Sequence, residues 1–266
     1  MADTAPVVLF EQRGHVGIIT LNRPKAHNAC NAELSALMEK YLKVIDETDE
    51  IWVGVVASSH PMTFCAGADL KAVNKGERIE GSVGGFAGIV KYPLRKPMIA
   101  AVGGAALAGG CEIVLACDLL CATRNATFGV PEVKRSLVPA AGGLFRLPRR
   151  LPRAVAMEMM LTGDRIGAQR AYELGFVNRL VEPGSDANAA ALAAALELAS
   201  AITVNAPVAV REAAGVVRAT AHASDEEAWA LSQAAFLTLV QTEDFFEGPL
   251  AFIEKRDPVW TGKAKL

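Results

Sequence analysis

A glutamate directly follows a glycine-rich turn in the segment AALAGGCEIVLAC, residues 105–117. Glu112 then opens an apolar run, where the surrounding sequence indicates burial. Burying an unpaired carboxylate costs roughly several kcal/mol, so a chain keeps one inside only beside a partner or for a function. Two explanations are open. The turn is either a packed helix start whose dipole favours the carboxylate, or it holds an acid beside free backbone N–H groups that can bind a developing oxyanion.

Known phosphate, nucleophile and metal motifs do not account for this turn. Gly104 and Gly109 match the opening of a phosphate-binding loop, but Gly110 and Cys111 stand where that loop needs Lys and then Ser or Thr. The sequence contains no G-x-G-x-x-G or G-x-S-x-G, and its four histidines have neither triad nor metal-ligand spacing. We therefore expect no metal site.

Two other segments carry residues that could act with Glu112. TFCAGADLKA, residues 63–72, reads as a second small-residue turn that enters a helix, with Asp69 in the first turn. ATFGVPEV, residues 126–133, places Glu132 directly after a proline. Each segment alone is typical of an ordinary loop. Together, two turns could supply two N–H donors and two glutamates an acid and a base, which are the parts needed to form an enolate beside a thioester.

Composition narrows the class of protein. At 266 residues the chain fits one large domain, or a core with a smaller appendage, and 52% apolar with 21% charged residues indicates a folded globular protein. The net charge of -2 gives no general attraction for nucleic acid or anionic membranes. The N-terminus has no secretory pattern, and the longest uncharged apolar stretch, residues 97–111, is shorter than the about 20 residues that a spanning helix needs. Five cysteines without a C-x-x-C pair favour packed, reduced thiols, so we expect a cytoplasmic protein.

Hydrophobic periodicity predicts strands and helices in alternation over roughly the first 200 residues, which favours an α/β core. Predicted strands lie at residues 15–24, 52–58, 97–104 and 119–129, and predicted helices at residues 31–48, with Asn31 as N-cap, and from residue 112. The last 65 or so residues read as helical, with a strong helix former at residues 187–202 and a capping box from Ser224 to Glu227. The glycine-rich residues 74–88 are expected to form an irregular, mobile loop.

At this point the sequence resembles a known family. The blocks ITLNRPKAHNA, FCAGADLKA, KPMIAAVGGAALAGGCEIVLACDLLCAT, ATFGVPEVKRSLVPAAGGLFRLPR, MMLTGDRIGAQRAYELGFVNRLV and TEDFFEGPLAFIEKRDPVW occur in the order typical of the crotonase superfamily. The resemblance runs from about residue 15 to residue 260 and is strongest to the enoyl-CoA hydratase branch. It implies an α/β spiral of ββα units over residues 1–200, and a C-terminal helical trimerisation region over residues 201–266 that forms a homotrimer or a hexamer of two trimers.

The resemblance also implies a site and a reaction. The peptide N–H groups of Ala68 and Gly109 would form an oxyanion hole, and Glu112 and Glu132 would be the two catalytic acids of a syn hydration of trans-2-enoyl-CoA. Glu112 would act mainly as the base on water, while Glu132 gives the proton to C2. No cofactor is implied, because CoA is part of the acyl-CoA substrate. The remaining substrate-binding positions implied by the resemblance are Lys25, Ala66, Asp69, Leu70, Lys71 and Lys255, the last reaching CoA from a neighbouring subunit.

This sequence departs from the family pattern beside the site. The departures bear on which acyl chain the protein accepts more than on the reaction that it performs. Gly103 stands in place of an Asn, and Ala108, Ser136 and Ala140 stand in place of glycines. Lys134 and Arg135 are two further departures, both cations.

Other functions stay open, since a fold does not determine a function. They are a hydroxyacyl-CoA dehydratase of the carnitinyl-CoA type, a Δ3,Δ2-enoyl-CoA isomerase, and a non-catalytic or RNA-binding relative. Two retained glutamates favour addition or elimination of water over isomerisation, and the acidic net charge disfavours RNA binding.

Overall fold

The computed structural model describes residues 5–263, whose strands form two main sheets and one short hairpin. The strands are β1 (Val8–Arg13), β2 (Val16–Leu21), β3 (Val53–Ser58), β4 (Thr63–Cys65), β5 (Glu80–Gly81), β6 (Gly85–Phe86), β7 (Met98–Val102), β8 (Ala105–Leu107), β9 (Leu119–Thr123), β10 (Thr127–Gly129), β11 (Arg165–Gly167) and β12 (Arg179–Val181). The helices are α1 (Ala32–Glu47), α2 (Leu70–Asn74), α3 (Gly109–Ala116), α4 (Gly143–Arg150), α5 (Arg153–Thr162), α6 (Ala168–Glu173), α7 (Ala187–Thr203), α8 (Pro207–Ala219), α9 (Asp225–Val240) and α10 (Asp244–Glu254). Short 3-10 turns lie at Pro24–Ala26, Pro131–Arg135 and Thr220–His222.

The first sheet has the order β1-β2-β3-β7-β9-β12, with β1 antiparallel to β2 and the other pairs parallel. Helices cover both of its faces, so its strands are nearly continuous apolar runs. Along β2, Ile18 packs with the alanines of α7 and Ile19 with the apolar stripe of α1, because successive strand residues point to opposite faces.

The second sheet has the order β11-β10-β8-β4, in which β4, β8 and β10 are parallel and β11 is antiparallel to β10. The chain alternates between the sheets. It runs β3–β4–α2, then β7–β8–α3, then β9–β10 and a 3-10 turn. The first strand of each group lies in the first sheet and the second strand lies in the second sheet. The expected spiral of ββα units is confirmed.

Several local predictions are confirmed as well. Asn31 caps α1 by accepting the N–H of Leu34 at 3.0 Å. Ser224 and Glu227 form the capping box of α9, and α7 spans the predicted helix near residue 187. All five cysteines are free and buried.

Two local predictions are wrong. Residues 119–129 form two strands in different sheets, because the chain turns after Thr123, whose carbonyl accepts the N–H of Ala126 at 2.9 Å. Residues 80–86 form the β5–β6 hairpin instead of an irregular loop, since the Glu39 carboxylate accepts the N–H groups of Val83 and Gly84 at 3.0 and 2.7 Å.

The C-terminal helices are less buried than the spiral. Arg218 joins α8 to the first sheet through two bonds to the Asp118 carboxylate, at 2.7 and 2.6 Å, while α9 contributes no buried residue. The division of the chain at residue 200 stays a prediction. Helix α7 crosses that position and packs on the first sheet.

Within residues 5–263, no single helix is long and apolar enough to cross a membrane. The segments Ala187–Thr203 and Pro207–His222 reach the required length and composition only as a pair, bent by 108°.

Candidate active site

The three segments singled out in the sequence meet at one sheet edge. Because β4, β8 and β10 are neighbouring parallel strands, the residues that follow them, 66–68, 108–109 and 130–132, leave the sheet side by side. Ligands of α/β proteins bind outside the carboxyl ends of parallel strands. The fold thus brings both small-residue turns and both glutamates together, a convergence that sequence spacing alone did not establish.

The first two turns touch each other. A methyl group on Gly67, which has φ +96°, would lie 2.9 Å from the Cβ of Ala108 and 3.1 Å from the nitrogen of Gly109. On the other side, Cys30 donates its N–H to the Gly67 carbonyl at 2.7 Å and accepts the Asp69 N–H at 2.9 Å. Among the described residues, no hydrogen bond engages the N–H of Ala68 or Gly109. Two adjacent turns therefore present two unused donors.

Ala108 sets the direction in which α3 begins. Its φ of 52° and ψ of -129° are values that glycine adopts far more easily. Its N–H donates to the Gly129 carbonyl at 2.9 Å, and its carbonyl accepts the N–H groups of Cys111 and Glu112 at 2.9 and 3.2 Å. Such a conformation costs about 1–3 kcal/mol and persists only where its surroundings hold it. These bonds hold it, and they leave the N–H of Gly109 at the open first position of the helix.

Both glutamates are drawn toward the protonated form. Glu112 is only 3% exposed. Burial, followed by the charge of Glu132, raises the pKa of its carboxyl to about 7, although the N–H of Gly143, which donates to Oε1 at 2.8 Å, opposes the shift. Burial also raises the pKa of Glu132, whose Oε2 is buried without a hydrogen-bond partner among the described residues. A carboxyl with a pKa of about 7 can accept and donate a proton near neutral pH, and the raised pKa of Glu132 favours its protonated form.

Most of the other candidate binding residues surround the first turn. Asp69 caps α2 by accepting the N–H groups of Lys71 and Ala72 at 3.1 and 3.3 Å. Ala66 donates its N–H to the His27 carbonyl at 3.1 Å, which places the exposed Lys25 loop against this turn. Leu70 and Lys71 are exposed.

Lys255 is not brought to the site within one chain. It ends α10, which packs on α9. The residues that follow it return to the end of α7, where the Trp260 indole donates to the Val204 carbonyl at 2.8 Å. Its contact with CoA in a neighbouring subunit stays a prediction.

The departures from the family pattern differ in location. A side chain at Gly103 would meet Ala187 and the Asn188 side chain at the start of α7, so this position serves helix packing. Lys134 pairs with Asp164 at 2.7 Å. Lys134, Asp164 and Leu107 line a cavity of about 530 Å³ next to Pro131.

Sequence reasoning missed residues that shape the site through distant contacts. The peptide of Gly143 binds Glu112, and the ring of Phe86 lies so close to Gly109 that a side chain there would overlap it. Arg23 pairs with Asp69 at 3.0 Å and thereby supports the first turn. The glycines of AAGG were a visible signal, because two small residues allow a close backbone approach, but the sequence does not say to which group.

The ββα spiral with its two sheets places the chain among crotonase-fold proteins. The model of the enoyl-CoA hydratase/isomerase family matches residues 11–263, so the chain belongs to this family. A carnitinyl-CoA dehydratase from Proteus mirabilis is 40% identical over 258 residues, which cover 94% of this chain and 97% of that protein. A solved enoyl-CoA hydratase from Mycobacterium tuberculosis has a TM-score of 0.91 at 44% identity, covering 97% of this chain and all of its own. A carnitinyl-CoA hydratase structure from Mycobacterium avium has a TM-score of 0.78 at 41% identity, covering 98% of this chain and all of its own. The chain is thus a crotonase-family enzyme of the hydratase and dehydratase group.

The raised pKa of Glu112 has a consequence for stability. The folded state holds this proton up to about pH 7, whereas the unfolded chain releases it near the ordinary value of 4.5. Because the folded state then binds more protons between these values, the free energy of unfolding falls as the pH rises through this window.

We expect Glu112→Gln, which keeps an oxygen for Gly143, to remove this decline. Urea unfolding at pH 5 and pH 8 should show a gain over wild type that is larger at pH 8, by up to about 3 kcal/mol. An equal difference at the two pH values would contradict the raised pKa.

Proposed function

We propose that this protein adds water in the syn sense to a trans-2-enoyl-CoA and releases the 3-hydroxyacyl-CoA. The observation that carries the proposal is the meeting of the buried Glu112 carboxyl and the half-buried Glu132 carboxyl, both of raised pKa, with two unused N–H donors at one sheet edge. The N–H donors can bind a thioester oxygen. The carboxyls can exchange protons with a water molecule and with the carbon next to the thioester.

The oxyanion is stabilised by the backbone. The thioester oxygen accepts hydrogen bonds from the N–H groups of Ala68 and Gly109 and gains negative charge as water attacks C3. Donors that are already in place cost no reorganisation at that moment, and losing one commonly costs about 2.7–4 kcal/mol of barrier. The bonds that Cys30 makes on either side of Ala68 keep its donor in place.

The two carboxyls divide the proton transfers. Glu112, ionised, takes a proton from water as the oxygen bonds to C3, and a pKa near 7 makes it a stronger base than an ordinary carboxylate. Glu132, protonated, delivers its proton to C2, and the enolate electrons return to form the C2–H bond. The product has gained one water, and exchange with solvent resets both carboxyls. Hydration involves no net oxidation or reduction, so the proposed reaction uses no redox cofactor, and CoA is part of the substrate.

Residues around the first turn would bind the CoA part. Lys25 and Lys71 are exposed cations on either side of the Ala66 backbone, which suits them to phosphate groups. Asp69 and Leu70 complete this surface.

A second candidate is dehydration of carnitinyl-CoA, which the name of the relative from Proteus mirabilis favours; the structure from Mycobacterium avium is named for the same acyl group. It uses the same two acids in reverse, with loss of the C3 hydroxyl as water. The candidates therefore differ in the acyl chain that the enzyme accepts.

The absorbance of the conjugated thioester tests both candidates. Hydration of crotonyl-CoA should lower this absorbance, whereas dehydration of a 3-hydroxyacyl-CoA or of carnitinyl-CoA should raise it. We expect the kcat/KM for crotonyl-CoA to exceed that for the other two substrates.

Glu112→Gln and Glu132→Gln should each lower kcat by about 10²–10⁴-fold without unfolding the protein, as general acid–base catalysis contributes this much. Wild-type turnover in either variant would exclude the two-glutamate mechanism, and a higher kcat/KM for carnitinyl-CoA would favour the second candidate.

The Gly109 donor can be tested if the space beside it is opened. Gly109→Pro removes the N–H at a helix position that tolerates proline, but its ring would meet Phe86. We therefore compare Gly109→Pro with Gly109→Ala, both in a Phe86→Ala background. The proline variant should have a kcat about 10²–10³-fold below that of the alanine variant, which keeps the N–H. Equal rates would dismiss this donor.

We further propose that the chain forms a trimer or a hexamer of two trimers. The C-terminal helices leave large apolar side chains exposed, among them Trp229 at 77% and Phe252 at 85%, which is typical of an interaction surface. Light scattering should give three or six times the chain mass of 28.0 kDa. Phe252→Asp should lower that mass, and a monomer for the wild type would refute the assembly.

A further inference from the structure

Arg146 connects the two sides of the site although it contacts neither N–H donor. It lies on α4, which begins at the glycine that binds Glu112. Its Nη2 donates to the Val90 carbonyl at 2.6 Å, and its Nη1 lies 3.5 Å from the Ala141 carbonyl. Gly142, with φ +115°, runs directly against the guanidinium, where a Cβ would overlap Nη1.

The turn at residues 141–143 therefore has Arg146 on one side and Glu112 on the other. Its last peptide donates to the Glu112 carboxylate at 2.8 Å. Val90 belongs to the segment after the β5–β6 hairpin, and it donates its N–H to the Phe86 carbonyl at 3.4 Å. Since the Phe86 ring packs on Gly109, the guanidinium ties the turn that holds the base to the segment that packs behind the oxyanion donor.

The charges around Glu112 make Arg146 the cation that acts on it. The elements packed on α3 are α4, β8 and β4. The titratable groups on them are the three arginines of α4 and Cys65, since β8 carries none. Glu132 faces Glu112 from the 3-10 turn, and Cys111 on the same helix is neutral, with a pKa of about 12.

The other two arginines of α4 are directed elsewhere. Arg149 is exposed and lies over the Phe145 ring at 4.8 Å. Arg150 donates to the carbonyls of Cys117 and Asp118 at the far end of α3. Arg146 alone among them lowers the pKa of Glu112, opposing burial and the charge of Glu132.

We propose that Arg146 is a positioning residue for the base: it holds the 141–143 turn against Glu112 and favours the ionised carboxylate that accepts the proton of water. This inference rests on the proposed hydration for its catalytic meaning. Its electrostatic part concerns the free enzyme and holds for any reaction at this site. A charge keeps Glu112 ionised, whereas only the planar fork of arginine reaches two carbonyls at once.

The test compares Arg146→Met, Arg146→Lys and the matched control Arg149→Met, which removes a neighbouring charge from the same helix. The first readout is the pH profile of kcat/KM for crotonyl-CoA. The second is the Glu112 pKa of the free enzyme, measured by carboxyl 13C NMR; the Glu112 signal is assigned by its absence in Glu112→Gln.

We expect Arg146→Met to move the acidic limb and the NMR pKa upward by up to about one unit, because an opposite charge is lost. Arg149→Met should leave both unchanged. An unmoved pKa in Arg146→Met, or an equal shift in Arg149→Met, would overturn the electrostatic part.

Arg146→Lys separates charge from position. It should keep the acidic limb of the wild type but lower kcat by about tenfold, and a wild-type kcat would overturn the positioning part. If Arg146→Met fails to fold in circular dichroism, the neutral Arg146→Gln takes its place in both readouts, with the same expected shift. If the wild type hydrates no enoyl-CoA, the proposed function fails, while the NMR pKa still measures the effect of Arg146 on Glu112.

Discussion

The parallel pairing of β4, β8 and β10 is the constraint on which the site depends. Each of these strands is only three residues long, and each is followed at once by one functional segment. Parallel strands need a crossover between them, and here each crossover passes through the first sheet. The larger sheet carries an apolar layer on each face, and the smaller sheet, which shares one of these layers through Phe64, Ala106 and Phe128, sets the relative positions of the turns.

The second constraint is the burial of Glu112. Three interactions favour its charged form, the backbone N–H groups of Gly143 and Ala141 and the charge of Arg146, and two oppose it, burial and Glu132. The opposing pair prevails, since the pKa rises to about 7. The protein therefore keeps a carboxyl inside at a cost in stability, and it obtains in return a group that exchanges protons at neutral pH. A helix dipole alone would have moved the pKa the other way.

Local features were predictable from the sequence, and contacts between distant segments were not. The cap at Asn31 and the capping box at Ser224 follow from residue type and spacing. Glu112 stood out because a carboxylate rarely opens an apolar run, whereas Glu132 became informative only together with it. The resemblance to the crotonase superfamily supplied the spiral. The break after Thr123 was missed because apolar residues on either side continue the strand pattern, although Asn125 is a turn former. The bond from Gly143 to Glu112 was missed because Gly143 lies 31 residues away along the chain, where no periodicity reports contact.

The arrangement also explains why relatives named for different acyl groups share this fold. In the proposed reaction both N–H donors belong to the backbone, and both carboxyls act on C2, C3 and a water, so none of these groups depends on the part of the acyl chain beyond C3. The choice of acyl chain must then come from side chains beyond the strand ends. Leu107 and Lys134 line the cavity of about 530 Å³ beside Pro131, one residue before the second acid. Lys134 is held by Asp164 at 2.7 Å, and the exposed Arg165 of the same lining adds a further cation. If the acyl chain of the proposed substrate enters this cavity, substitutions there alter the substrate while the proposed acid–base chemistry stays the same.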